Sequence, residues 1–240
     1  MATVAEMLDK VARECRAPVP NNWVSSLTTT SMDLKDYLSD TIDELLERID
    51  WPDPITKDTT ITGTGDEDYD LPADFKRLTR DPYTVYETTT TRRPGVPISS
   101  NGAWTALKQM GSAGGDRYFR TSGNEEDGYQ ISFYRNPSAS ESITVSYVST
   151  NWLSTDGTAG AEFDDVNAIL LLPRRLVEEG MIWRFRRAKG QAYADRLNGY
   201  EAMLARHAND KRVIRRVDIT GEAKVRSPFD IPVPDYIPQA

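Results

Sequence analysis

The spacing of the apolar residues changes twice along the chain, and that change limits the architectures open to it. Near the start, Val4, Met7, Leu8 and Val11 fall on one stripe of a short helix that must stop before Pro18 and Pro20. A longer helix follows, with Leu34, Tyr37, Leu38, Thr41, Ile42, Leu45, Leu46 and Ile49 on one face and Asp36, Asp40, Asp43, Glu44 and Glu47 mostly off it. Thr30 with Asp33 supplies its N-cap signal and Trp51-Pro52 its stop. From about Thr56 to Leu153 the spacing shortens to two. The runs TTIT, YTVYET, RYFRT, YQISFYR and SITVSYVST, separated by Gly, Asn, Asp and Pro, predict antiparallel strands with one apolar face each, and NGAWTALKQM a short helix among them. Helical spacing then returns. Pro173 opens a helix through Leu176, Val177, Met181, Ile182 and Trp183, and a second runs from Gln191 to about Asp210 on Tyr193, Leu197, Tyr200, Met203, Leu204 and Ala208.

Helices at both ends therefore bracket a β insertion. The predicted fold is α+β: a helical bundle formed by N- and C-terminal helices (1–55 and 166–212), an inserted antiparallel β domain (56–165) and an extended C-terminal arm (213–240). The arm ends in RSPFDIPVPDYIPQA. Its prolines at 228, 232, 234 and 238 forbid helix and central strand, while Phe229, Ile231, Val233, Tyr236 and Ile237 project from a backbone with little core of its own. A frayed end is ordinarily poor in such residues, so the arm reads as built to lie against its own domain or a neighbour.

Composition excludes several functions. With a single cysteine, Cys15, and a single histidine, His207, the chain closes no internal disulfide and lacks the ligands for most zinc sites and the parts of a His-based triad. The longest apolar run, Ala168 to Leu172, is too short for a bilayer, and MATVAEMLDK lacks the apolar block of a secretion signal; the expectation is a cytoplasmic protein without a membrane partner. The formal charge of −8 hides an asymmetry: residues 1–165 hold 15 Lys/Arg against 28 Asp/Glu, residues 166–226 hold 14 against 7. A basic segment suits nucleic acid, an acidic protein, or the acidic half of a second copy. Because the molecule as a whole repels phosphate chains, protein partners are favoured.

Candidate chemistry is thin. Asp66, Asp68 and Asp70 alternate as calcium ligands would, but the sixth position of the loop holds Leu71 where glycine is needed, so a solvated turn is expected. Asp164-Asp165 and Glu178-Glu179 show no convergence into an acid–base pair. GSAGGD (111–116) lacks the lysine of a phosphate loop and leads into a strand. Cys15, with Arg13 and Arg16 close by, reads as helix-end filler and His207 as a packing residue. Arg174, Arg175, Arg184, Arg186, Arg187 and Lys189, with Trp183 among them, form the densest basic cluster. Phosphate contact with aromatic stacking is one reading, ion pairing with acidic residues of the bundle the other.

Several stretches together carry a resemblance: VAEMLDKVARE, YDLPADFKRL (69–78), YQISFYRNPSASESITVSYVS (129–149) and LLLPRRLVEEGMIWRFRRAKGQAYADRLNGYEAMLARHA (170–208). In this order they resemble the head-to-tail adaptor, or connector, proteins of tailed bacteriophages. The resemblance implies a structural, non-enzymatic protein of the virion neck, without cofactor or metal, assembled in the host cytoplasm. It implies a ring, usually twelve-fold, that sits beneath the portal protein, extends the DNA channel, and docks the next tail component, a nozzle or stopper. Tyr69, Leu71, Pro72 and Phe75 match the family's strand-turn motif, and Pro173 and Trp183 belong to its helical pair. Arg215, Arg216, Arg226, Phe229, Ile231, Val233, Tyr236 and Ile237 would be the arm's contacts with portal or neighbouring copies. An acidic channel wall that does not hold passing DNA fits the negative charge. The rivals are a phage-derived carboxylate- or metal-dependent hydrolase using Asp66, Asp68 and Asp70, and a nucleic-acid-binding module using Arg184, Arg186 and Arg187.

Overall fold

The computed structural model describes residues 3–89, 92–110 and 116–212. In chain order the elements are α1 (Val4–Glu14), α2 (Thr29–Arg48), β1 (Thr56–Thr62), β2 (Asp68–Asp70), β3 (Phe75–Leu78), β4 (Val85–Glu87), β5 (Val96–Pro97), α3 (Asn101–Met110), β6 (Tyr118–Asn124), β7 (Gly128–Tyr134), β8 (Ser142–Ser149), β9 (Leu153–Thr155), β10 (Thr158–Gly160), β11 (Ile169–Leu170), α4 (Arg174–Ala188) and α5 (Ala194–Arg212). The class is α+β. The expected arm lies outside the described residues.

Local chemistry sets the helix ends. α1 opens on a capping box in which Thr3 Oγ1 accepts from the Glu6 amide and the Glu6 carboxylate accepts from the Thr3 amide. The cap expected at Thr30 is corrected to Thr28, whose extended backbone lets its Oγ1 accept from the Ser31 amide at 3.3 Å; Thr30 is already inside α2. α2 also stops earlier than Trp51-Pro52. Trp51 folds back, and its indole donates to the Leu45 carbonyl at 2.9 Å. Pro173 is the N-cap of α4 rather than its first helical residue, and Tyr193 precedes α5.

α4 is packed nearly all round, touching α1, α2 and α5. These helices share one core with Trp23, Trp51 and Ile55, in which each fully buried Leu or Ile contributes about 1.5–3 kcal/mol. The approach of α2 and α5 to α4 is close enough to need glycine: a Cβ on Gly180 would stand 2.5 Å from Thr41 Cγ2 and 3.0 Å from a Tyr200 ring carbon.

The strands form three sheets. β8 is central to the first, with β1 on one edge and both β3 and β4 on the other; the second runs β2-β7-β6-β5. All pairings are antiparallel except β5 with β6, which is parallel and corrects the expectation of a wholly antiparallel domain. Both sheets contribute to a second core of Ile61, Leu71, Phe75, Val85, Phe119, Ile131, Phe133, Ile143, Val145 and Tyr147. The third sheet, β10-β9-β11, packs on the helices: Leu153 lies in their core, and Thr3 bridges Ile169.

β8 serves both cores, since Ile143, Val145 and Tyr147 enter the strand core and Val148 the helical one. Two arginines from the strand region close the junction. Arg77 donates to the carbonyls of Leu46 and Ile49 and to Asp50, and Arg80 to the carbonyls of Glu47 and Arg48, so the orphan carbonyls at the end of α2 find cationic donors where the helix dipole is negative.

Candidate assembly surfaces

Charge is sorted onto different sides of α4. On α2, Asp33, Asp36, Asp40, Asp43 and Glu47 recur at alternating steps of three and four, which makes one stripe on the side away from the buried Leu34, Leu38, Thr41 and Leu45. Like charges at this spacing repel. Neighbouring elements neutralise part of the stripe, with Lys189 on Asp33 at 2.9 Å, Lys76 on Asp43 at 2.7 Å and Arg77 3.6 Å from Glu47. Asp36 and Asp40 are exposed and make no ion pair among the described residues.

α2 meets α4 at Gly180 and Arg184. α1 comes from another side: Lys10 reaches the buried Glu178 at 2.5 Å, where Arg174 also ends, and Glu14 joins Glu179 through Arg196. Arg175 and Arg186, three helical turns apart and so on one face, lie on the α1 side with no ion pair among the described residues. Arg186 is near enough to Cys15 for its charge to be felt there.

The basic cluster read from the sequence is thus divided. Arg184 binds Glu44 through a short charge-assisted contact and donates to Thr41 Oγ1 at 3.0 Å, with its guanidinium 4.5 Å from the Trp183 ring and 6.0 Å from that of Tyr200. Burial, then the charge of Glu44, pushes the Tyr200 phenol upward. Arg48 grips Glu201 with two bonds of 2.8 Å, which lowers the Glu201 carboxyl and raises the guanidinium. Arg174, Arg184 and Lys189 are therefore occupied within the molecule, while Arg175, Arg186 and Arg187 face outward to differing degrees.

The strand-turn motif holds a polar centre. Phe75 stacks among Tyr129 and Tyr147 at 5.1 and 5.7 Å, Leu71 is buried, the Pro72 carbonyl accepts from the Phe75 amide, and Tyr69 packs on Phe133. Between them Asp74 accepts from Lys57 at 2.6 Å, Ser149 at 2.7 Å, Tyr147 at 2.9 Å and Asn151 at 3.3 Å. Burial alone would raise this carboxyl, but the donors outweigh it and hold it below the ordinary value of 3.8. Sequence reasoning gave Asp74 no role beyond its place beside Phe75. Its available signal was an acidic residue in an otherwise apolar turn, LPADF.

Other singled-out residues do not converge. Asp66 accepts from Thr64 and Asp70 from Gln130, on an exposed turn and strand, and no group of three or more His, Cys, Asp or Glu among the described residues could hold a metal. Asp164 and Asp165 line an open cleft of about 520 Å³ with Asn22, Thr155 and Thr158. His207 packs 5.6 Å from Trp51. Cys15 is buried, and desolvation raises its thiol to about 11. Residues 111–115 and the arm contacts from Arg215 to Ile237 lie outside the described residues. No described helix is long and apolar enough to cross a membrane.

A family described as SU10 adaptor protein matches residues 2–228. The chain belongs to the SU10 adaptor family. The resemblance to phage head-to-tail adaptors read from its sequence is borne out, and its role is that of a phage adaptor. No individual curated protein matches it. Membership of an adaptor family implies a structural protein acting by contact with portal and tail components, and suggests a place in the virion neck. Among the described residues, the SU10 adaptor chain carries two unlike flanks, and inside it a polar hub, Asp74, ties β1 and β8 to the turn before β3.

Proposed function

We propose that this adaptor assembles as a ring, dodecameric by its resemblance, that attaches to the portal, lengthens the DNA channel and docks the next tail component. Residues 1–55 and 166–212 form its helical bundle, 56–165 its β lobe, and 213–240 an arm that reaches along the portal or an adjacent copy through Arg215, Arg216, Arg226, Phe229, Ile231, Val233, Tyr236 and Ile237. The observation that carries this reading is the sorting of charge on α4: acidic α2 on one side, Arg175 and Arg186 on another. Identical copies that meet head to tail need unlike surfaces, and a rotation that closes makes a ring. The outward acids of α2 that remain, Asp36 and Asp40, suit either that contact or a channel wall that repels phosphate. A nucleic-acid-binding role is disfavoured because Arg184 is spent on Glu44.

The test mixes purified chain with portal rings and follows co-sedimentation and particle images. The full chain should add a symmetric ring to the portal, and a chain ending at residue 225 should fold but attach weakly. Unchanged attachment of the truncated chain refutes the role of the arm. Absence of any ring on the portal with the full chain refutes the reading.

A further inference from the structure

The first sheet ends in an open edge. Among the described residues β1 pairs only with β8, in a register that sets Lys57 against Tyr147, Thr59 against Val145 and Ile61 against Ile143. The amide of Gly63 donates to Glu141 and the carbonyl of Ile55 accepts from Ser149, so the odd-numbered residues of this strand direct their backbone groups toward β8. Asp58, Thr60 and Thr62 therefore point theirs outward, where no strand among the described residues receives them, and all three are exposed. A seven-residue edge of this kind is a template for another chain.

The C-terminal segment has the complementary pattern. Pro228, Pro232, Pro234 and Pro238 all occupy even positions, while Phe229, Ile231, Val233 and Ile237 occupy odd ones; beyond Val233 the alternation is broken by Asp235 at an odd position and Tyr236 at an even one. In an extended strand, backbone groups and side chains both alternate with period two. Every proline would then lack its N–H on one edge only, leaving the odd amides free to pair, and the odd residues Phe229, Ile231 and Val233 would present one apolar face. Proline tolerates such an outer edge and blocks a further strand from adding there.

The geometry points to residues 229–237 of a second copy adding to the open edge of β1, parallel to it. Direction follows from the two faces. An antiparallel partner would set its inward-pointing odd residues beside Asp58, Thr60 and Thr62, on the polar face; a parallel partner sets them beside Lys57, Thr59 and Ile61, on the face that carries the core. Only the parallel arrangement uses the free amides and buries Phe229, Ile231 and Val233 together. Sixteen residues lie between Arg212 and Phe229, a reach of up to roughly 55 Å, enough to cross to a neighbour. One donor and one acceptor per copy, with the far edge closed by proline, fits a ring and not a growing sheet. The inference rests on the ring reading above.

The test uses full chains with Cys15→Ala. Chains carrying Thr59→Cys are mixed with chains carrying Phe229→Cys, Ile231→Cys or Val233→Cys, then oxidised. A disulfide between the two kinds of chain is expected for at least one odd position and not for Asp230→Cys. In unmodified protein, the amides of Asp58, Thr60 and Thr62 should exchange at least about tenfold faster after truncation at residue 225 or on dilution. A disulfide closing only within a Thr59→Cys/Val233→Cys double variant, or equal trapping at odd and even positions, or exchange that ignores truncation, overturns the proposal. Co-sedimentation with portal rings is scored beside it: attachment without the mixed disulfide defeats this inference alone, and failure to attach defeats the ring reading.

Discussion

Replacing Asp74 should expose how much of the β region depends on one carboxylate. Tyr147 is 4% exposed and Ser149 is fully buried, and each donates to Asp74. A hydrogen bond to an ionised acceptor is worth about 1.5 kcal/mol or more, so losing two costs about 3 kcal/mol. Lys57, whose side chain is 29% exposed, adds no more than about 1 kcal/mol. Asp74→Ala is therefore expected to lose about 3–4 kcal/mol, and Asp74→Asn, which keeps an acceptor oxygen, about 1–2 kcal/mol, both read from urea unfolding followed by tryptophan fluorescence and circular dichroism. Acid gives the sign. The folded carboxyl lies below its ordinary 3.8, so its contribution is complete above that value and fades as pH falls through the lower, folded one. The stability gap between the natural chain and Asp74→Asn should be level from pH 7 to about 5 and narrow below 3.8. A loss under about 1 kcal/mol for Asp74→Ala, or a gap unchanged down to pH 2, would refute the hub.

Three further outcomes are expected. Arg77→Met strips donors from the end of α2 at a site only 15% exposed and should cost about 2–3 kcal/mol in the same unfolding assay. Gly180→Ala should destabilise by about 1–2 kcal/mol despite the better helix propensity of alanine, because Thr41 is held by its bond to the Tyr37 carbonyl at 2.6 Å and cannot turn away; adding Thr41→Ser, which removes the clashing methyl, should restore most of the loss. Cys15, buried and with its thiol raised to about 11, should react with a disulfide reagent at pH 8 only after denaturation.

α2 was legible because its burial is one-sided. The stripe of Leu34, Leu38, Ile42 and Leu45 is written directly in the order of residues, as is the alternation of Ile143, Val145 and Tyr147. Cap positions were not, since Thr28 and Thr30 differ in backbone direction rather than in chemistry, and only Thr28 is extended. The Thr3-x-x-Glu6 box was present in the letters and went unread. The third sheet escaped because strands of two or three residues leave no periodic signal, and its allegiance to the helices is a matter of tertiary packing. Likewise the division of the basic cluster is invisible locally: Arg184 and Arg187 lie one turn apart, yet Glu44, far away in sequence, claims only the first.

β8 lends residues of neighbouring registers to two separate apolar interiors. A pull on either interior is thus delivered along a single extended backbone to the other, with the Arg77 and Arg80 grips on α2 acting as guy-lines beside it. Under load, that arrangement makes the helical and strand interiors yield together as one stiff body, and leaves compliance to whatever contacts the adaptor makes with other chains.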